Sequence, residues 1–220
     1  MLTTDLNVGC FVKVIAVNWR FKGNTYWTHN TAYFDWILAH AKGRKRVLDV
    51  GCGDGLLVQR LAMVCGFAKG IEQHALCAYR AKKRTAEIPN ADITHIDFQN
   101  FDAVSGSFDA VIFVASLHHM ELGFGIQKAK GLLAAGGVLL IVGLAKPNGA
   151  GDWIIEILRM VPARIGSILH GEIRGGNIGA PTVKPKMSLA DIRRTAEKDL
   201  PGAVIRRGLY YRYLLKWIKP

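Results

Sequence analysis

The run VLDVGCGDG at residues 47–55 constrains this chain more than any other stretch. An apolar strand carrying Asp49 ends in Gly51, Gly53 and Gly55, and the apolar segment LLVQRLAMVC follows at once. A strand that breaks into glycines and resumes as a helix lets backbone approach a ligand closely and turns helical N–H groups toward it. The spacing is GxGxG. The dinucleotide fingerprint GxGxxG would need glycine where Leu56 stands.

From Arg46 onward, short runs rich in Val and Ile alternate with longer segments of helical period, the pattern of βα units on a parallel sheet. The expected strands are 46–50, 68–72, 92–96, 109–114 and 137–144. Crossover helices are expected over 55–65, 74–87 and 124–135, with Asp54 capping the first and the Gly136-Gly137 pair closing the third. At 220 residues the chain suits one domain, since domains run to roughly 150 residues. Within it, 1–44 reads as an N-terminal lid, 45–145 as a binding core and 146–220 as a substrate-side cap with terminal strands.

Beyond the fifth strand the pattern changes. Residues 152–169 read as an amphipathic helix interrupted at Pro162, and a Gly- and Pro-rich loop from Gly171 to Lys186 follows. Ser188 and Asp191 stand at capping-box spacing before a helix over 188–200. Alternation in VIRRGLYYRYLLKWI predicts a hairpin over 204–218, turned at Gly208. Before the first strand, 28–41 fits a helix, while 8–19 is compatible with either helix or strand.

Lys and Arg number 29 against 17 Asp and Glu, a formal charge of +12 that attracts anionic partners without naming one. Without a long basic run, nucleic acid is not the favoured partner. Cys10, Cys52, Cys65 and Cys77 show neither CxxC nor zinc spacing, so reduced thiols, a cytoplasmic setting and no metal are expected. The apolar stretch 132–145 is broken by two glycines and falls short of the roughly 20 residues of a spanning helix. Peripheral contact of the 152–169 helix with a membrane stays open.

Glu72 ends the second expected strand about 20 residues after the glycine turn, where doubly wound sheets place an acid that binds ribose hydroxyls. HIDF at 95–98 puts Asp97 and Phe98 after the third strand, and FDAVIFVASLHHM at 108–120 carries the fourth strand into a loop with His118 and His119. With LLAAGGVLLIVGL behind them, these motifs resemble, in order and spacing, the class I S-adenosylmethionine-dependent methyltransferases over roughly residues 30–220. The tail, with APTVKP, LPGA and YYRYLLKWIKP, is similar to a generic bacterial group within that family.

The resemblance implies a doubly wound α/β fold with a seven-stranded, mostly parallel sheet and a C-terminal antiparallel hairpin. It implies S-adenosylmethionine as methyl donor and S-adenosylhomocysteine as product, held by Asp49, Gly51, Cys52, Gly53, Glu72, Gln73, Asp97, Phe98 and Val114. Asp97 would meet the adenine amine and Phe98 cover the base, while Tyr33 belongs to a segment that the family often folds over the donor. His118 or His119, at the strand edge where ligands bind, is the expected base. A small or amphipathic metabolite is the expected acceptor. An RNA or protein substrate, a catalytically silent donor-binding module and an NAD-dependent oxidoreductase are the alternatives, and neither acceptor atom nor oligomeric state follows from the sequence.

Overall fold

Residues Val47, Leu48, Ala110–Phe113 and Val138–Val142 are all sealed from water, and that near-continuous apolar character dictates strands covered on both faces. The computed structural model describes residues 26–148, 185–209 and 212–220. A 3₁₀ turn at Thr31–Tyr33 leads into α1 (Phe34–Ala41), and then β1 (Arg46–Val50), α2 (Leu56–Leu61), β2 (Phe67–Glu72), α3 (Ala75–Thr85) and β3 (Ala91–His95) follow. Next come β4 (Phe108–Val114), a second 3₁₀ turn at Leu117–His119, α4 (Leu122–Leu132) and β5 (Leu133–Leu144). After residue 184 come α5 (Leu189–Asp199), β6 (Val204–Arg207) and β7 (Arg212–Ile218).

The seven strands form one sheet in the order β3-β2-β1-β4-β5-β7-β6. The first five are parallel; β7 runs antiparallel between β5 and β6. Strand alternation sends Val47 to one face and Leu48 and Val50 to the other. On the first face α1, α2 and Ala81 of α3 cover Val47, Ala110 and Ile112; on the second, α4 and α5 cover Leu48, Val111 and Phe113. This is the expected doubly wound sheet with its C-terminal hairpin.

Three local expectations need correcting. Asp54 is not the N-cap of α2: Gly55 holds that position, and the Asp54 carboxylate, which accepts from Leu56 N at 3.3 Å, is also engaged by Tyr26 and Arg84. α2 loosens into turns after Leu61, where Val64 N and Cys65 N both donate to Leu61 O. α4 stops at Leu132, because Leu133 already pairs with Phe108. Gly136 is left-handed, with φ of 72°, but it serves a strand irregularity: the pairing jumps from Phe108–Leu133 to Ala110–Val138. Gly136 N donates to Lys219 O at 2.9 Å and Lys219 N to Gly137 O at 2.8 Å, so the chain end holds the bulge.

The capping box is present: Asp191 N donates to Ser188 Oγ at 3.2 Å and Ser188 N to Asp191 Oδ2 at 3.1 Å. The segment 8–19, the amphipathic helix expected over 152–169 and most of the loop expected over 171–186 lie outside the described residues. Among the described residues no helix is long and apolar enough to cross a membrane.

Candidate functional site

The carboxyl ends of β1, β2, β3 and β4 open on a cavity of about 290 Å³, at the small end of ligand pockets. Its walls include Asn30, Gly51, Gly53, Glu72, Gln73, Asp97, Phe98, Val114, Ser116, His119 and Met120. This is the edge where open parallel sheets bind ligands.

The turn after β1 is fixed by backbone. Gly51 N and Cys52 N both donate to Ile71 O, at 2.9 and 3.0 Å, tying the turn to the end of β2. Gly51 and Gly53 are both left-handed, but for different reasons. A Cβ on Gly51 would lie 2.6 Å from Ser116 Cβ, so glycine there lets the loop after β4 close down. A Cβ on Gly53 would meet nothing within 4 Å, so glycine there leaves its side of the cavity bare for a ligand.

Glu72 braces that turn. Gly53 N donates to its Oε2 at 2.9 Å and His74 N to its Oε1 at 2.8 Å, and each oxygen keeps a lone pair for a ligand hydroxyl. Across the sheet edge the Phe98 ring stands edge-on to Phe113, centroids 5.5 Å apart. Asp97 accepts from Asn100 N at 2.7 Å and Asn100 Nδ2 at 2.9 Å, which orients its carboxylate.

The loop after β4 works through side chains. Ala115 takes a positive φ of 52°, a conformation that costs a residue with a Cβ about 1 kcal/mol or more, and Ala115 N holds it by donating to Val142 O at 2.8 Å. Ser116 Oγ donates to Val50 O at 2.5 Å. The 3₁₀ turn then buries Leu117 and leaves His119 exposed at the cavity, its ring centroid 4.3 Å from that of His118.

Of the residues expected at the donor, Gly51, Gly53, Glu72, Gln73, Asp97, Phe98 and Val114 line this cavity, and of the two histidines His119 does. Four others stand elsewhere. Asp49 follows Val47 to the α2 face, where it pairs with Gly70 in register and is only 2% exposed. Burial, and then the Glu72 charge, push its carboxyl up to about 8, and its Oδ1 has no hydrogen-bond partner among the described residues. The Cys52 thiol is turned into the core against Gly70, and burial raises its pKa. Tyr33 is buried, its hydroxyl donating to Leu209 O at 2.7 Å and its ring filling the space beside Gly208. His118 is half-buried beside His119 without reaching the cavity wall.

Sequence reasoning missed Ser116 and Met120 as lining residues, and placed Asn30 only in a covering segment. Nothing in the sequence shows that Ser116 abuts Gly51, 65 positions away. Asp54, inside the glycine motif, has a structural partner set: Arg84 Nη2 at 2.6 Å ties α3 to the turn, and the Tyr26 hydroxyl at 2.8 Å fastens the N-terminal segment to it. Among the described residues no group of three His, Cys, Asp or Glu side chains could hold a metal, and Cys52 and Cys65 are free thiols.

The site fits a ligand that carries ribose hydroxyls and a flat base. A bare glycine backbone, a buried acid with spare acceptor sites and a ring at the far end are the parts that such a molecule needs.

Comparison with known proteins bears on the family and the fold. Residues 47–137 match the family described as a methyltransferase domain. An uncharacterized methyltransferase of Mycobacterium bovis is 32% identical over 182 residues, covering 81% of this chain and 89% of the relative. An O-methyltransferase of ubiquinone biosynthesis from Erwinia tasmaniensis is 28% identical over 166 residues, 69% of this chain and 67% of that one. The crystal structure of a SAM-dependent methyltransferase from Aquifex aeolicus superposes with a TM-score of 0.59 at 13% identity, covering 85% of this chain and 89% of that one.

Proposed function

Because this chain belongs to the class I S-adenosylmethionine-dependent methyltransferases, we propose that it methylates a small or amphipathic metabolite, with His119 drawing the proton from the acceptor. The observation that carries this reading is the convergence of four strand ends on one cavity, with Gly53 and Glu72 on one side and His119 on the other. Glu72 would accept from the ribose hydroxyls, Asp97 from the adenine amine, and Phe98 would cover the base. The chemistry supplied by such a donor is a methyl group on a sulfonium, open to displacement by a lone pair.

Little covalent help is then required of the protein. Holding the reactants in line contributes on the order of 7 to 11 kcal/mol, whereas a general base adds roughly a hundredfold to ten-thousandfold. Gly51, Gly53, Ser116 and Glu72 therefore carry most of the task by positioning. His119 suits the base because it is exposed at the cavity, and a neutral imidazole nitrogen can accept a proton from a phenol or hydroxyl. The name of the Erwinia relative, an O-methyltransferase of ubiquinone biosynthesis, supports a metabolite acceptor. We extend the proposal to domain organisation: one domain, with 1–44 as lid and 146–220 as substrate-side cap.

Titration calorimetry with S-adenosylhomocysteine, with NAD as control, tests the donor. Micromolar binding of the first and none of the second is expected, and the reverse would overturn the reading. In a screen of phenol, hydroxyl and amine acceptors, His119→Gln should lower kcat by about a hundredfold or more, while His118→Gln leaves it unchanged. Equal rates for wild type and His119→Gln would leave positioning as the whole of catalysis. The surplus of Lys and Arg supports a second reading, an RNA or protein acceptor, which a steep salt dependence of RNA binding would favour.

A further inference from the structure

Among the described residues Asn30 is the one cavity-lining residue that precedes the sheet, and its side chain is held by the start of β7. Arg212, at the start of β7, donates to Asn30 Oδ1 from Nη2 at 2.6 Å and from Nε at 3.2 Å. A guanidinium can only donate, so these two bonds fix which way the amide faces: oxygen toward Arg212, nitrogen away from it. No hydrogen bond from Asn30 Nδ2 occurs among the described residues, and the residue borders the cavity. A residue of the cavity wall therefore keeps an N–H pair without a partner among the described residues.

The backbone beneath Asn30 is equally fixed. Thr28 and Thr31 exchange three hydrogen bonds across the preceding turn, and Tyr33 N donates to Asn30 O at 3.2 Å. Arg212 is half-buried, and desolvation brings its pKa down to about 10, which marks surroundings where its positive field is weakly screened. A donor backed by such a cation favours an anionic oxygen.

Topology says which one. Arg212 pairs with Leu144 at the carboxyl end of β5, whereas Phe98 and Asp97 follow β3 at the opposite side of the sheet. A ligand with its base at Phe98 and its ribose at Glu72 runs its tail over β1 and β4 toward Asn30. The tail of the adenosyl donor ends in an amino acid, whose α-carboxylate is the molecule's single anion. We infer that Asn30 receives this carboxylate, with Arg212 as a positioning residue that acts through it. The inference rests on the donor assignment made above and assigns the far end of that site.

Calorimetry on the full chain with two probes tests it: S-adenosylhomocysteine, and 5′-methylthioadenosine, which keeps the nucleoside and sulfur but lacks the amino acid. Asn30→Asp keeps a partner for Arg212 while placing a carboxylate oxygen where the N–H pair stood. It should weaken S-adenosylhomocysteine by about tenfold or more, the loss of one charge-assisted hydrogen bond and the gain of a like-charge contact. Affinity for 5′-methylthioadenosine should stay unchanged. If both affinities hold, or both fall together, the inference is overturned, and Asn30 serves the cavity's shape. Wild-type protein that binds neither probe would overturn the donor assignment itself, and this inference with it. Should Asn30→Asp fail to fold, Arg212→Lys reads the same ratio: it keeps the charge, loses the fork, and should lower the preference for S-adenosylhomocysteine severalfold, an unchanged preference again counting against the inference.

Discussion

The turn after β1 and the loop after β4 face each other across the cavity, yet they are built by different means. In the turn, backbone N–H groups hold position by donating to Ile71 O and Glu72, and glycines keep side chains out of the way. In the loop, side chains do the work: Ser116 seals against Gly51 and bonds Val50 O, Leu117 anchors the 3₁₀ turn, and His119 reaches the cavity. The first arrangement tolerates almost no substitution where backbone must be bare. The second confines its demands to individual groups, each with its own partner.

The two glycines of the turn sharpen that contrast most. Gly53→Val should abolish S-adenosylhomocysteine binding, a loss of about a hundredfold or more, because the new side chain enters space kept free for the ligand. Its effect on folding should be limited to the strain of a positive φ, about 1 to 2 kcal/mol. Gly51→Ala should do the reverse, destabilising the fold by about 2 to 4 kcal/mol, since its Cβ meets Ser116 Cβ as well as adopting a positive φ. Melting curves and calorimetry on both variants separate the effects. Equal losses of stability would show that the two positions share one role.

A second test lies beneath the turn. The Asp49 carboxyl is raised to about 8 by burial and by Glu72, so between about pH 4 and pH 8 the unfolded chain has released a proton that the folded chain retains. Stability contributed at this position therefore falls as pH rises through that window and levels off above it. Asp49→Asn removes the titration, and its stability relative to wild type should climb from pH 5 to pH 8, by on the order of 1 kcal/mol per pH unit at most. Wild type and variant tracking each other in thermal melts over that range would mean that the carboxyl is ionised and hydrated in the folded protein.

The same contrast decides what could be read from the sequence. Strands β4 and β5 were legible because burial on both faces forces nearly continuous apolar runs, and the turn of Gly51 and Gly53 because backbone chemistry demands particular residues at particular spacings. Motif membership says nothing about direction, so the sequence could not show that strand alternation turns the Asp49 side chain to the α2 face or that the Cys52 thiol packs under Gly70. The end of α4 was missed because helical period continues through Leu133, while pairing with Phe108 ends the helix. Asn30 and Ser116 depend on partners 182 and 66 positions away, contacts that only the fold creates.

The smallest expected effect asks how the loop holds the turn. Ser116 touches β1 twice, through its hydroxyl on Val50 O and through its Cβ packed over Gly51. Ser116→Ala removes the first contact and keeps the second, so it should cost about 1 kcal/mol of stability, the worth of one hydrogen bond with its carbonyl left unmet. Affinity for S-adenosylhomocysteine should hold, because the surface presented beside Gly51 is still a methyl-sized group. A marked fall in affinity would mean that the hydroxyl, and not steric closure, sets the height of the turn, and the division between a backbone-made wall and a side-chain-made one would then fail at the place where the two meet.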